Sequence, residues 1–189
     1  MPDLDTWGGA MRLLLLLLAA VTAAVVAAAA GAAGPTAGTL SVEGGKGVVT
    51  VELRGSMLGL LANGSLRVTD LTPRDRYAPT VTGRKLIQLR LGPRTVVFKG
   101  QGLRFRMLGG SYRIVVRGSG IALSGVGWGW VTLDGEPRFT GDDTGVYSVD
   151  GVDCSTDPQT CTSLPDLPLR IKLGTLASDG SITLTTSGR

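Results

Sequence analysis

The chain contains no histidine. A nucleophilic serine or cysteine therefore has no imidazole to take its proton, which excludes the Ser-His-Asp and Cys-His arrangements together with histidine-ligated metal sites. Cysteine is almost as scarce. Cys154 and Cys161 are the only two, and one pair of thiols without histidine does not complete the four ligands of an ordinary zinc site. There is no P-loop, and Gly118-Ser119-Gly120 lacks the third glycine of a dinucleotide fingerprint. Aromatics are few, three each of Trp, Tyr and Phe, and no acidic residue occurs between Arg76 and Leu133. No cofactor and no metal are expected from this inventory.

Long apolar runs are limited to one, Leu13 to Ala30, which is built from Leu, Ala and Val with a single Thr22. Arg12 precedes it and Gly31-Ala32-Ala33-Gly34-Pro35 follows, the layout of a secretory signal peptide with cleavage sites at Ala28-Ala29-Ala30 or Ala30-Gly31-Ala32. Retention as a membrane anchor is the alternative, because the run reaches the lower edge of a bilayer span. Under either, residues 1–33 direct the rest of the chain out of the cytoplasm, 34–40 form a short linker and 41–189 form one extracytoplasmic domain. Asp3 and Asp5 fit a signal n-region badly, so Met11 is a candidate true start. In an oxidising compartment Cys154 and Cys161 are expected to form a disulfide, worth about 2 to 3 kcal/mol on the chain-entropy model.

What the chain has in abundance is glycine, 29 residues, and period-two alternation. Val49, Val51 and Leu53 alternate with Thr50, Glu52 and Arg54, as a strand with one buried face requires. The pattern predicts strands at Val48–Arg54, Ser65–Thr69, Lys85–Leu91, Thr95–Lys99, Leu103–Met107, Tyr112–Arg117, Gly127–Leu133, Gly145–Ser148, Leu169–Leu173 and Ile182–Thr185. Asn63-Gly64, Gly92-Pro93, Gly109-Gly110, Asp134-Gly135, Asp150-Gly151 and Asp179-Gly180 read as turns between them. Many short strands and no helical period mean an all-β fold, an antiparallel sandwich or flattened barrel.

Two stretches align at an offset of about 63 residues, anchored by Arg54-Gly55-Ser56 against Arg117-Gly118-Ser119. Gly47 then meets Gly110, Gly64 meets Gly127, and Val68-Thr69 meets Val131-Thr132. This suggests a duplicated supersecondary unit.

Charge is segregated. The stretch from Arg76 to Leu133 is basic, whereas Asp134 to Asp166 is acidic apart from Arg138. Either the two segments neutralise one another in the sheet, or the basic one forms a face for an anionic envelope polymer or a membrane surface. An exported chain has no natural nucleic-acid partner.

The candidate ligand-binding residues are Trp128, Trp130, Arg113 and Arg117. In an extended Gly125-Val126-Gly127-Trp128-Gly129-Trp130 segment, Val126 and both tryptophans share one face. The repeat aligns them with Asn63, Ser65 and Arg67, a polar set, which points that face to solvent; the alternative is that the tryptophans fill the core, where large aromatics of a small β domain usually go. Arg113 and Arg117 face outward because Tyr112, Ile114 and Val116 take the inward positions. If their strand paired with the tryptophan strand, guanidinium groups would flank an aromatic platform suited to a sugar ring and an anion. A hairpin at Gly109-Gly110 would also set Arg106 against Arg113, a repulsive pair. Asp142, Asp143, Asp150, Asp153 and Asp157 are turn residues that do not follow the twelve-residue calcium-loop pattern.

These features predict a non-catalytic exported module of the cell envelope, binding or structural, possible partners being an anionic polysaccharide or another envelope polymer. The alternatives are a membrane-tethered protein that self-associates through strand edges, and a hydrolase built on the aspartates of 142–157.

Overall fold

A computed structural model describes residues 36–72, 79–136 and 143–175. The leader, Asp142, Arg138 and the strand expected at 182–185 lie outside the described residues. Among the described residues the elements are β1 Gly38–Asp70, β2 Thr80–Arg90, β3 Thr95–Met107, β4 Ser111–Gly135, β5 Val146–Val149, β6 Thr162–Ser163 and β7 Leu169–Leu173, with a 3₁₀ turn at Pro158–Thr160. Every strand pairing is antiparallel and all belong to one sheet, ordered β2-β3-β1-β4-β7, with β5 on β1 and β6 on β5. The fold is all-β.

β1 has 33 residues and β4 has 25, far more than an ordinary strand. Fully extended, 33 residues would span about 110 Å, several times the width of a domain this size. The strands must bend, and glycine marks where. Gly135, Gly47, Gly118, Gly64 and Gly100 are register partners in succession, a line of glycines across five adjacent passes of β4, β1, β4, β1 and β3. At its centre Gly64 and Gly118 take φ values of 144° and 148°; a Cβ on either would run into the other strand's backbone, at the Arg117 and Asn63 carbonyls. A second line joins Gly38, Gly127 and Gly55.

Because of these bends β1 and β4 hydrogen-bond along two registers. Val48 to Arg54 has Arg117 to Ser111 on one side and Asp134 to Trp128 on the other. The sheet thus turns over onto its own inner face and buries it. Leu40, Val51, Met57, Leu61, Leu66, Leu103, Ile114, Ile121, Leu133 and Leu173, from β1, β3, β4 and β7, sit in one hydrophobic cluster at 3% exposure or less.

Three local expectations are corrected. Asn63-Gly64 is a bend inside β1, not a turn between strands, and the inward positions change parity there, from Leu61 to Leu66. Leu103–Met107 and Thr95–Lys99 are likewise one strand, kinked at Gly102 with φ 57°. Gly109-Gly110 does not close a hairpin, because β3 and β4 both pair with β1; Arg106 faces Leu58 and Thr80, Arg113 faces Glu52 and Thr69, and the repulsive Arg106–Arg113 pair does not form. The connection instead docks on β1 through Gly55 N to Gly110 O and Gly109 N to the Ser56 hydroxyl.

Candidate functional site

The inward alternation of Val49, Val51 and Leu53, of Tyr112, Ile114 and Val116, and of Val131 and Leu133 leaves the intervening side chains on one outer face. Trp128, Trp130, Arg113 and Arg117 all stand there, outside the hydrophobic cluster. Trp130 is 40% exposed and Trp128 is half-buried, its indole N–H without an acceptor among the described residues.

The neighbours differ from those expected. The strand of Arg113 and Arg117 does not pair with the tryptophan strand, because Val48–Arg54 of β1 runs between them. Glu52 is the register partner of both Arg113 and Trp130, and it takes Arg113 into an ion pair at 3.4 Å. Arg117 pairs with Glu136 at 3.4 Å. Both pairs are exposed and contribute little to stability. The cation on the tryptophan is Arg170 of β7, whose guanidinium carbon lies 4.5 Å from the Trp130 ring centroid. Arg54 is the partner of Trp128, and Lys172 that of Trp130. Sequence reasoning missed Arg170, Lys172 and Arg54. Ile171 and Leu173 alternate inward and so point Arg170 and Lys172 outward, but nothing local says which strand they adjoin.

The result is a surface on which Arg54, Arg170 and Lys172 adjoin the two tryptophans and Arg113 and Arg117 stand two strands away, all exposed, with Glu52, Asp134 and Glu136 among the acids of that face in the described residues. An indole face offers stacking and the guanidinium groups offer bidentate pairing to anions. Among the described residues Arg117 and Glu136 join the basic and acidic segments in an ion pair.

The described aspartates do local work. Asp143 Oδ1 accepts from Gly145 N at 2.8 Å, Asp150 Oδ1 from Thr39 N at 2.8 Å, and Asp153 Oδ1 from Ser155 N at 3.0 Å. The Ser155 backbone N–H and then its side chain hold the Asp153 carboxyl below the ordinary aspartate range, against the opposing effect of desolvation, and the Ser41 hydroxyl adds a weaker lowering. No group of three His, Cys, Asp or Glu residues is placed to hold a metal among the described residues.

Cys154 and Cys161 form a disulfide, with Cα atoms 5.9 Å apart. Its loop is pinned to β1 through Ser41, whose hydroxyl donates to Asp153 at 3.1 Å and accepts from Cys154 N at 2.9 Å. Overhanging the sheet there, the loop makes one wall of a groove of about 330 Å³, whose opposite wall carries Arg104.

Comparison with protein families, with curated proteins and with solved structures found no match for this chain.

Proposed function

We propose that the chain is a non-catalytic, exported module of the cell envelope, binding or structural, whose ligand is an anionic polysaccharide or another anionic envelope polymer. The observation that carries this is the placement of the exposed cations Arg54, Arg170 and Lys172 beside Trp128 and Trp130 on a single sheet face. A polymer with repeated negative charge gains from many weak contacts at once, which suits a broad face better than a deep pocket. Apolar rings in its backbone stack on indole. The disulfide supports an oxidising compartment, and the leader supplies the route, as a cleaved signal peptide or a retained anchor.

Within this proposal the sheet is a flattened barrel from a duplicated unit. Shifting residues by 63 maps the Gly55/Gly127 register pair onto Gly118/Gly64, and Gly47/Gly118 onto Gly110/Gly55, which are joined by a backbone hydrogen bond. The support is that the repeat preserves the pairing as well as the residue types.

The test is binding of the full-length protein to immobilised anionic polysaccharide, against a neutral one. Trp128→Ala/Trp130→Ala should lose binding while the β circular-dichroism signal persists. Retained binding by this double variant would refute the proposal.

Self-association is a second proposal, favoured by one observation. β2 is an edge strand exposed along nearly its whole length, with Leu86, Ile87 and Leu89 uncovered. Against it, Arg84, Lys85 and Arg90 punctuate that edge and Lys85 sits in a bulge with φ 51°, devices that discourage edge-to-edge pairing. Sedimentation of wild type and Ile87→Lys decides between them.

A further inference from the structure

The groove beneath the disulfide loop lies on a different part of the sheet from the tryptophan face, and its chemistry is different. Leu58 and Leu60 form its floor, 52% and 38% exposed, an uncommon placement for two leucines in the middle of a sheet. Arg104, register partner of Leu60, stands on one side. On the other side stand Glu43 of β1 and Asp153 of the loop, the latter tied to Ser41. Two register rows cross the groove. One runs Arg106, Leu58, Ser124, Ser41; the other runs Arg104, Leu60, Ala122 and on toward Glu43.

We infer that this groove binds an extended peptide segment lying across the strands, with an acidic, an apolar and a basic side chain on one face at alternate positions. Charge complementarity sets the occupant. A uniformly anionic chain is repelled by Glu43 and Asp153, and a uniformly cationic one by Arg104. Only a dipolar ligand with an apolar middle satisfies both walls and covers the leucines.

The dimensions agree. From β3 to the first segment of β1 is three strand spacings, about 14 Å. In an extended peptide, side chains at i, i+2 and i+4 share a face and span about 13 Å. The acidic side chain then meets Arg104, the apolar one rests on Leu58 and Leu60, and the basic one reaches Glu43 and Asp153. The wall needs no ordering on binding, because the Cys154–Cys161 disulfide and the Ser41 hydrogen bonds already hold Asp153.

The test uses the full-length chain, kept in solution with mild detergent, with labelled leucine methyl groups. The probe is the blocked pentapeptide Glu-Ala-Leu-Ala-Lys, compared with Glu-Ala-Leu-Ala-Glu and Lys-Ala-Leu-Ala-Lys. The dipolar peptide should shift the Leu58 and Leu60 methyl resonances and bind about fivefold more tightly than either control. Arg104→Glu, an exposed substitution, should reverse the order in favour of the doubly basic peptide. Equal affinity for the three peptides, shifts confined to the Trp130 face, or no binding at millimolar peptide would each overturn the inference. Polysaccharide binding on the tryptophan face is read separately, so loss of one site leaves the other interpretable.

Discussion

Arg170 lies over Trp130 with its guanidinium carbon 4.5 Å from the ring centroid, while Trp130 itself is 40% exposed. They are diagonal neighbours on β7 and β4, since Trp130 faces Lys172 and Thr132 faces Arg170. The pair both orders the indole and leaves part of it open, which is what a stacking surface requires.

Arg170→Ala is expected to cost about 0.5 to 1 kcal/mol of stability, the usual size of an exposed cation–π contact. The same change should weaken binding to anionic polysaccharide by about tenfold, since the ring loses its support and the face a cation. Urea denaturation and polysaccharide titration read the two effects independently. A stability loss with unchanged binding would assign the pair to structure alone.

Substitution in the glycine line should be far more damaging than its small size suggests. Gly64→Ala and Gly118→Ala are each expected to cost about 2 kcal/mol or more, because the added Cβ meets a partner-strand carbonyl at a positive φ. Gly92→Ala is the control. Gly92 also has a positive φ, 128°, but nothing lies within 4 Å of a Cβ there, so its cost should stay near 1 kcal/mol. Equal losses at all three positions in chemical denaturation would show that conformation, not close approach, is what the line requires.

Reduction of the disulfide, or Cys154→Ser/Cys161→Ser, should lower stability by about 2.5 kcal/mol from the short loop's closure entropy. Ser41→Ala removes the acceptor for Cys154 N and a donor to Asp153, and should cost about 1 kcal/mol on its own. Because both act on the same loop, their effects should be less than additive once the disulfide is open. Strict additivity would mean that the Ser41 contacts do not depend on the bridge.

Asp153 makes the fold sensitive to acid in a defined direction. Its carboxyl is held below the ordinary value of 3.8 by the Ser155 hydrogen bonds and then by Ser41. A depressed folded-state pKa contributes stability that is present above 3.8 and is lost as pH falls through the lower, folded value. Asp153→Asn should therefore flatten the acid limb of the stability curve below pH 3.8 and leave the region above it parallel to wild type. A carboxyl NMR titration of Asp153 at or above 3.8 would remove the premise.

Much of the fold could be read locally. The alternation Val49, Val51, Leu53 assigns an inward face whichever strands adjoin it, and that face is buried. Leu169–Leu173 is the strand expected, with the same bounds. The pairing of Cys154 with Cys161 needed only their number and an oxidising compartment. Strand ends were not legible, because Asn63-Gly64 has the composition of a turn while serving as a bend inside one continuous strand. The inversion of inward parity between Leu61 and Leu66 makes one strand look like two.

The candidate site divides in the same way. Outward placement of Arg113 and Arg117 follows from side-chain alternation, a property of each strand by itself, and the same alternation puts Trp128 and Trp130 on one face without saying whether that face is core or surface. Their neighbours do not follow from it. That Glu52 stands between Arg113 and Trp130, that Arg170 covers Trp130, and that Asp153 looks across a groove to Arg104 all depend on which segments become adjacent when the sheet bends along its glycine lines. By itself the sequence determined secondary structure class, facing and cysteine pairing, because those depend on residue type and spacing over a few positions. Only the tertiary structure decided partners and grooves, because backbone hydrogen bonding is blind to side-chain identity and register is set by closure of the whole sheet.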